Sequence, residues 1–249
     1  MNICLFSAKE IDFPLSLNDE RAKHIINILH KKEGDTFFAG IINECSGFAK
    51  ITKIANQKLH FNFTPSENKN ERPLFPIVLI VGFPRPIQLR RLLRDVAGLG
   101  VSQLYLTGSE LGEKSYLQSN IIKSGEAEKL LLDGTVQAGS AFCPKLFVCN
   151  TLSNCLEKIM STYTNSDTIK ILLDVANTKC SLTSFLKERS LANKTVIGAI
   201  GSERGWTNNE RMLLQNAQFT SCSMGMRILR TETAVTVASS IILSAMSVV

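Results

Sequence analysis

Two glycine-bearing segments near the C-terminus, residues 195–206 and 223–234, carry the side chains best suited to chemistry. Between them they hold two carboxylates and three guanidiniums: Glu203, Arg204, Arg227, Arg230 and Glu232. If both segments follow neighbouring strands of one sheet, these groups meet in a single crevice at the strands' carboxyl ends. Guanidiniums at such a site stabilise developing negative charge, and a carboxylate accepts a proton. The alternative is a buried ion-pair network that only holds the two loops together.

Each of these segments has the pattern of a buried strand, a turn and a helix. Residues 196–200 form a short apolar run, which Gly201 and Gly205 then interrupt. Gly225 marks the second turn, and Thr231-Glu-Thr precedes an apolar-periodic run, as expected for the start of a helix. The first loop matches neither the dinucleotide fingerprint nor the Walker P-loop, because its glycine spacing differs and no Lys-Ser or Lys-Thr follows. Its backbone N–H groups suit a small polar cofactor, although an ordinary turn is the simpler interpretation.

The pattern that positions these loops begins at Leu74 and predicts an α/β fold. Short apolar runs are expected to be strands, at residues 77–83, 103–107, 145–149, 169–174, 196–200 and 219–222. Segments with helical spacing lie between them, at 87–99, 113–138, 152–160, 182–191 and 208–216, and a last helix ends the chain. Apolar strands separated by helices are typical of a parallel sheet that is covered on both faces.

The C-terminal helix carries one stripe of mostly small apolar residues. They are Ala234, Val237, Ala238, Ile241, Ile242, Ala245 and Val248. Such a stripe lets another backbone approach closely, so it predicts packing against the core. A symmetric dimer interface is the second interpretation.

Residues 1 to about 65 are predicted to be a separate, β-rich domain. One helix, for which Asn18 is the candidate cap, precedes three short strand candidates at 37–42, 48–54 and 59–63. This pattern favours a compact barrel. The polar, proline-bounded stretch at 65–73 is expected to be the linker, with a long surface loop as the alternative. The predicted domains are therefore residues 1–67 and 74–249.

The charge pattern favours a polyanionic partner. Lys and Arg number 28 against 22 Asp and Glu, which gives a formal net charge of +6. Arg85, Arg90, Arg91 and Arg94 are crowded at the start of one predicted helix, where the helix dipole opposes a cation such as Arg85. Because the planar guanidinium fork suits phosphate, these side chains are candidate RNA contacts. A solvated helix face is the alternative.

Several classes of protein are not favoured by the sequence. The seven cysteines include no CxxC pair, and the three histidines have no metal-ligand spacing to a cysteine. We therefore expect free thiols in a reducing cytoplasm and no metal site. The N-terminus lacks the features of a signal peptide, and the tail at 233–249 is too short and too rich in Ser and Thr to span a membrane.

The two C-terminal segments also resemble a known family. Ile200-Gly-Ser-Glu-Arg-Gly205, followed by Met224-Gly-Met-Arg-Ile-Leu-Arg-Thr-Glu-Thr-Ala234, is similar to the paired signatures of the RsmE-type methyltransferases of the SPOUT superfamily. That family methylates N3 of a uridine in small-subunit (16S) ribosomal RNA. Further matches occur in family order along the chain: Lys23-His-Ile25, Gly34-Asp35, Leu99-Gly-Val101, and Gln137 followed by Pro144.

The resemblance implies an architecture and a cofactor. The C-terminal domain would be a SPOUT-type α/β domain with a parallel sheet and a deep trefoil knot, and the N-terminal domain a PUA-like β-barrel that grips RNA. S-adenosylmethionine would lie in the knot, held by Leu172, Leu173, Ile200, Gly201, Ser202, Gly205, Met224, Gly225, Ile228 and Leu229. Lys23 of the barrel would join the four arginines as an RNA contact. The enzyme would be a homodimer with the C-terminal helix in its interface.

The reaction implied by the resemblance is methyl transfer to uracil N3. Arg230 and Arg227 would stabilise the anionic base or hold phosphate. Glu232 would orient Arg230 or accept the N3 proton, with Glu203 as the second candidate. One alternative is a ribose 2′-O-methyltransferase of the same superfamily. Another is a ribosome assembly factor that binds RNA without catalysis, since Ser202 and Arg204 stand where the family usually has proline and glycine.

Overall fold

The computed structural model describes residues 2–68, 72–163, 166–176 and 178–248. The chain divides into two compact units, residues 1–74 with 132–143 and residues 75–131 with 144–249. The first unit thus includes a later segment, 132–143, which the sequence pattern placed in the C-terminal domain. Part of the predicted linker, residues 69–71, lies outside the described residues.

The first unit is built from short strands around one short helix. Its elements are β1 (Cys4–Phe6), β2 (Leu15–Ser16), α1 (Glu20–Lys23), β3 (Thr36–Ile41), β4 (Cys45–Ala55) and β5 (Lys58–Pro65). Helix α1 continues as a π-helical turn over His24–Ile28. Its cap is Asp19 rather than the predicted Asn18, because the Asp19 carboxylate accepts a hydrogen bond from the backbone N–H of Arg21 at 2.9 Å.

The strands of the first unit form one curled sheet, which fits the barrel-like domain that was predicted. Over the described residues the strand order is β1-β3-β4-β5-β2, with β1 parallel to β3 and the other pairs antiparallel. Side chains alternate between the two faces of a strand, so Ala49 and Ile51 are buried in an apolar cluster with Phe6. Phe48 and Lys50 of the same strand are exposed on the outer face.

From Phe75 onward strands and helices alternate, as predicted. The first part contains β6 (Phe75–Gly82), α2 (Pro86–Gly98), β7 (Val101–Thr107), α3 (Lys114–Leu117), α4 (Asn120–Lys123), α5 (Glu126–Ala138), β8 (Lys145–Cys149) and α6 (Leu152–Thr162). The second contains β9 (Thr168–Leu173), β10 (Cys180–Ser181), α7 (Leu182–Lys187), β11 (Thr195–Ile200), α8 (Asn208–Asn216), β12 (Thr220–Ser223) and α9 (Thr231–Ala245).

These strands form a parallel sheet, which confirms the predicted α/β fold. In the part of the chain that the structure describes, seven strands are ordered β10-β12-β9-β11-β6-β7-β8, and every neighbouring pair is parallel. Strand β11 lies at the centre, with Val196 opposite both Ile77 of β6 and Ile169 of β9. Because β9, β11 and β12 are neighbours or next neighbours, the loops that follow them leave from one stretch of the same sheet edge.

Helix α9 packs on the body of this unit. Ala234, Ala238 and Ile242 are buried, and the helix contacts α2 and α7. Core packing therefore accounts for one side of the apolar stripe, whereas Val237 and Ile241 remain partly exposed. None of the described helices is both long enough and apolar enough to cross a membrane.

Candidate active site

A cavity of about 250 Å³ lies where β9, β11 and β12 end. Its walls come from the three loops that follow these strands: Leu173, Asp174 and Val175; residues 200–206; and Met224, Gly225, Arg227, Ile228 and Leu229, with Arg211, Thr231 and Ala234 completing it. The two glycine-bearing segments therefore meet in one crevice, as their pattern predicted. This position is where open parallel sheets hold their ligands.

Most of the cofactor positions implied by the resemblance line this cavity. They are Leu173, Ile200, Gly201, Ser202, Gly205, Met224, Gly225, Ile228 and Leu229. Leu172 is placed elsewhere: its side chain is buried in the core cluster with Val78 and Ile197. Successive side chains of a strand point to opposite faces, so Leu172 packs in the core while the strand's end at Leu173 reaches the cavity.

The loop after β11 is shaped by glycine. Gly205 has φ +71° and its N–H donates to the carbonyl of Ser202 at 2.9 Å, which closes a tight turn. A Cβ on Gly201 would lie 2.8 Å from the backbone of Gly205, closer than real Cβ atoms approach. Ser202 is buried and accepts a hydrogen bond from the Ser109 hydroxyl at 3.2 Å. The turn is thus fixed by backbone geometry that larger residues at 201 and 205 would not permit.

The two charged residues of this loop have partners of their own. The Glu203 carboxylate accepts a hydrogen bond from the backbone N–H of Arg85 at 2.8 Å, at the N-terminus of α2. The Arg204 guanidinium forms an exposed ion pair with Glu113 at 3.2 Å. Glu203 therefore has a capping role that its sequence position did not reveal.

An ion pair that the sequence reading missed borders the same cavity. The Arg211 guanidinium lies 2.6 Å from the Asp174 carboxylate, whose side chain is only 4% exposed. Asp174 also accepts the backbone N–H of Val175 at 2.7 Å, which shapes the turn after β9. Arg211 is held on α8, which begins with a capping box between Thr207 and Glu210. An acidic residue directly after a buried strand was the available signal.

Trp206 supports the cavity wall from the core side. It is 2% exposed and packs in the core cluster with Val78 and Leu214, and its indole Nε1 is buried with no hydrogen-bond partner among the described residues. The apolar side chains of Ile200 and Leu229, together with the backbone of the glycine turns, line the cavity and suit a small molecule with both apolar and polar parts.

The four candidate catalytic residues are divided between two adjacent hollows. Arg227 and Glu203 line the cavity, whereas Arg230 and Glu232 line a neighbouring groove of about 570 Å³. That groove also contains Arg91, Asp95, Thr233 and Thr236, and it shares Ile228 and Leu229 with the cavity. The sequence predicted that these residues share one crevice, whereas the structure divides them between a cavity and a groove. The reason is that Arg230 is the cap residue of α9 and Glu232 lies in its first turn, on the side facing α2.

Glu232 is a buried carboxylate in the first turn of α9. Its residue is 7% exposed, and its Oε2 atom has no hydrogen-bond partner among the residues described. The N-terminus of α9 favours negative charge at this point. Nearby, Asp95 accepts a hydrogen bond from the Thr236 hydroxyl at 3.2 Å, while Arg91 and Arg230 are exposed.

The candidate RNA-binding cations are spread over both units. Arg85, Arg91 and Arg94 are exposed on α2, and Arg91 reaches the groove. Arg90 instead forms an ion pair with Glu126 at 2.7 Å, whose hydrogen bond raises the pKa of Arg90 and lowers that of Glu126. Lys23, in the first unit, pairs with Glu20 at 2.7 Å.

Comparison with known proteins gives the family. Residues 70–243 match the RNA methyltransferase domain. The chain is 39% identical over 247 residues to the ribosomal RNA small subunit methyltransferase E of Treponema pallidum, which covers 98% of this chain and 91% of that protein. The chain belongs to this methyltransferase family.

Further relatives agree with this family assignment, which the sequence resemblance predicted. Identity to the ribosomal RNA small subunit methyltransferase E 1 of Borreliella burgdorferi is 34%, over 97% of both chains. Among solved structures, a ribosomal RNA small subunit methyltransferase E from Neisseria gonorrhoeae bound to S-adenosyl methionine has a TM-score of 0.78. That match covers 98% of this chain and 97% of the other at 20% identity, so it shows a shared fold.

Proposed function

We propose that this protein is an S-adenosylmethionine-dependent methyltransferase that acts on N3 of a uridine in small-subunit (16S) ribosomal RNA. The observation that carries the proposal is the meeting of the two signature loops in one cavity, at the carboxyl ends of β9, β11 and β12. The near-full-length identity to a ribosomal RNA small subunit methyltransferase E supports the RNA substrate. The resemblance of the loops supports N3 as the position.

The residues of the cavity fit this cofactor. Gly201, Gly205 and Gly225 bring backbone to the cavity wall, and Ile200 and Leu229 supply apolar side chains. S-adenosylmethionine supplies an electrophilic methyl group carried on a sulfonium. These residues hold and orient the bound molecule, and the buried wall limits the access of water.

The adjacent groove is where we place the uracil. N3 of uracil carries a proton, and it becomes a competent nucleophile only when that proton leaves. Glu232 is our candidate to accept the proton, because it is a carboxylate that lines the groove and its Oε2 atom has no hydrogen-bond partner among the described residues. Arg230 and Arg91 stabilise the anionic uracil, whose negative charge spreads onto its carbonyl oxygens. Glu203 is engaged with Arg85, so we assign the base to Glu232.

Two observations favour catalysis over an RNA-binding protein that has lost activity. Ser202, which stands in the family's proline position, is buried and hydrogen-bonded within an intact turn. The positive φ of the turn lies at Gly205, and Arg204 points to Glu113 in an exposed ion pair. Neither substitution therefore obstructs the cavity.

The trefoil knot and the PUA-like barrel are part of the same proposal. The chain after β12 passes beside the loop after β11, where the Thr231 hydroxyl donates to the carbonyl of Gly201 at 3.4 Å. This contact shows that the two loops are neighbours, and the threading of the C-terminal segment is proposed from the resemblance of the loops. The curled sheet of the first unit supports a barrel that binds RNA, with Lys23 as a phosphate contact there. Arg85, Arg90 and Arg94, at α2 of the second unit, would be further phosphate contacts. The site of action would be the cytoplasm.

We further propose a homodimer. Met226 and Ile228, in the loop before α9, are 104% and 84% exposed, which is unusual for apolar residues of one loop. Val237 and Ile241 of α9 are partly exposed as well. Light scattering after size-exclusion chromatography should give twice the chain mass, and Met226→Asp should shift it toward the monomer.

The decisive experiment measures methyl incorporation into small-subunit RNA from a strain that lacks this protein. Arg230→Ala is expected to lower turnover by about 10²- to 10³-fold at saturating cofactor. Glu232→Gln, a nearly isosteric change, should lower it by about 10²- to 10⁴-fold while leaving cofactor affinity unchanged in calorimetry. Mass spectrometry of the nucleosides should find 3-methyluridine. A ribose 2′-O-methyl product, or no cofactor binding by the wild type, would contradict the proposal.

A further inference from the structure

A groove on the outer face of the first unit carries aromatic rings beside a guanidinium. Its volume is about 400 Å³, and it is lined by Asn2, Phe38, Phe48, Arg72, Ala138 and Gly139. All six residues belong to the first unit. The candidate active site uses none of them.

The aromatic part of the groove is a cross-strand pair in which Phe38 packs partly against Ile3 and Leu5 and Phe48 stays exposed. Phe48 of β4 lies directly opposite Phe38 of β3, with ring centroids 5.5 Å apart and an interplanar angle of 51°. Phe48 nevertheless stays 55% exposed, while its chain neighbour Ala49 is fully buried on the other face. Because side chains alternate along a strand, the Phe48 ring points away from the core and adds little to core packing. An exposed aromatic ring of this size is suited to contact with another molecule.

The guanidinium of the groove is fixed in place by its surroundings. The Arg72 Nη1 atom donates to the carbonyl of Gly139 at 2.8 Å, and its guanidinium carbon lies 5.6 Å from the centroid of the Phe38 ring. A Cβ on Gly139 would be 2.7 Å from that nitrogen, so the guanidinium lies close against this glycine.

The backbone of Arg72 is strained to hold this position. Its φ is +53°, a left-handed conformation that arginine rarely adopts, and the Ser140 hydroxyl donates to its carbonyl at 2.7 Å. Backbone strain of this kind persists where the surrounding structure imposes it, and it is frequent at active sites and ligand-binding sites.

The electrostatics of the groove select the kind of ligand. None of its six described lining residues carries a carboxylate, and Arg72 supplies a positive charge. Lys50 follows Phe48 by two residues on β4, so it projects from the same outer face and is exposed. Ring faces, a guanidinium plane and a neighbouring ammonium together match a flat base joined to a phosphate.

We infer that this groove is a stacking platform for an unpaired base of RNA, with Phe48 and Arg72 contacting the base and Lys50 the adjacent phosphate. Proteins that bind single-stranded nucleic acid combine aromatic faces with a basic track in this way. The inference rests on the proposed function for the identity of the RNA. The platform lies in a separate unit from the methyl-transfer site, so each of the two can be tested alone.

The test is fluorescence anisotropy of the full chain with a labelled single-stranded RNA of mixed sequence, and with the same sequence as a duplex. Phe48→Ala is expected to weaken binding of the single strand by about tenfold or more, since stacking on an aromatic side chain contributes that much per base. Phe48→Trp should retain the affinity, because it keeps a ring face. Phe13→Ala is the matched control: Phe13 is 67% exposed in the same unit but does not line the groove.

The cation is tested by salt dependence. Lys50→Ala should reduce the slope of log Kd against log salt by about 0.7, the value for one phosphate contact on a single strand. Arg72→Ala should also weaken binding of the single strand, because it removes the guanidinium that contacts the base. Thermal unfolding of each variant shows whether its fold is intact.

Three outcomes would overturn the platform: equal affinity of Phe48→Ala and wild type for single-stranded RNA, equal losses for duplex and single strand, or a loss in Phe13→Ala as large as in Phe48→Ala. The proposed function is judged separately by methyl incorporation. A wild type that binds RNA through Phe48 but transfers no methyl group would retain the platform and refute the enzyme. If the wild type transfers methyl groups but Phe48→Ala does not change its affinity for RNA, the enzyme is supported and the platform is refuted.

Discussion

The Glu203 carboxylate accepts a 2.8 Å hydrogen bond from the backbone N–H of Arg85, the residue that precedes α2. A helix leaves its first N–H groups without internal partners, and its N-terminus favours negative charge, so Glu203 satisfies both requirements. The loop that lines the cofactor cavity is thereby attached to the helix whose Arg91 lines the neighbouring groove. The cavity and the groove are thus connected through the contact between Glu203 and Arg85.

This attachment predicts different effects for two substitutions of Glu203. Glu203→Ala should lower the free energy of unfolding by about 1 kcal/mol, the usual effect of losing a helix cap. Glu203→Gln should retain most of the stability and the turnover, because an amide oxygen still accepts the Arg85 N–H. Urea denaturation and single-turnover methyl transfer measure the two quantities. A loss of turnover by about a hundredfold in Glu203→Gln would instead make Glu203 the general base.

The glycine turn after β11 predicts that an added methyl group weakens cofactor binding at Gly201. The same change at Gly98, outside the turn, should not weaken it. Gly201→Ala should weaken S-adenosylmethionine binding by about tenfold or more, since its Cβ would lie 2.8 Å from the Gly205 backbone and the turn would have to open. Calorimetry measures the affinity. Gly98→Ala is the control: Gly98 ends α2 with open space around it, and alanine there should stabilise the fold by up to about 1 kcal/mol. Unchanged affinity in Gly201→Ala would contradict the cofactor assignment.

The buried ion pair predicts a large and coupled effect on stability. Arg211→Ala should lower the free energy of unfolding by about 3 kcal/mol, because it leaves the buried Asp174 carboxylate uncompensated. Adding Asp174→Asn should recover part of that loss, which a double-mutant cycle in urea would quantify. Arg204→Ala, which removes the exposed pair with Glu113, is the comparison and should change stability by less than about 1 kcal/mol. Strict additivity of the Asp174 and Arg211 effects would refute the coupling.

The first unit should lose stability in acid through Asp19. The hydrogen bond from the Arg21 side chain, at 2.8 Å, lowers the pKa of Asp19 below its ordinary value. A carboxyl whose pKa is lower when folded contributes stability above its unfolded pKa of about 4, and that stability disappears as the pH falls through the folded pKa. Melting temperature measured from about pH 6 downward should therefore fall more steeply in wild type than in Asp19→Asn. Parallel curves would show that the ion pair contributes nothing.

Much of the second unit follows from its apolar runs. Strand β8 and helix α8 have the bounds that were predicted, and β11 begins one residue earlier, because buried parallel strands and amphipathic helices leave a strong periodic signal. The short strands β1, β2 and β10 were not predicted, since two or three residues hold no period. Cys180 and Ser181 become a strand only by pairing with Cys222 and Ser223, which are distant in the chain.

The sequence predicted the loops of the candidate site, but not its ion pair or the groove in which two of its side chains lie. Glycine spacing located both turns, because only certain residues tolerate those conformations. Asp174 and Arg211 are 37 residues apart in the sequence, and no local pattern links them. The separation of Arg230 and Glu232 from the cavity depends on the direction in which α9 leaves the turn, which residue spacing does not encode.

The central pairing of β6 with β11 has a consequence for biosynthesis. Ile77 pairs with Val196, so a ribosome releases β6 roughly 120 residues before its partner is made. Through that interval one apolar edge of the nascent sheet has no strand to cover it, and such edges recruit other chains. We therefore expect that edge to need protection from other chains until β11, in the last quarter of the sequence, has been made.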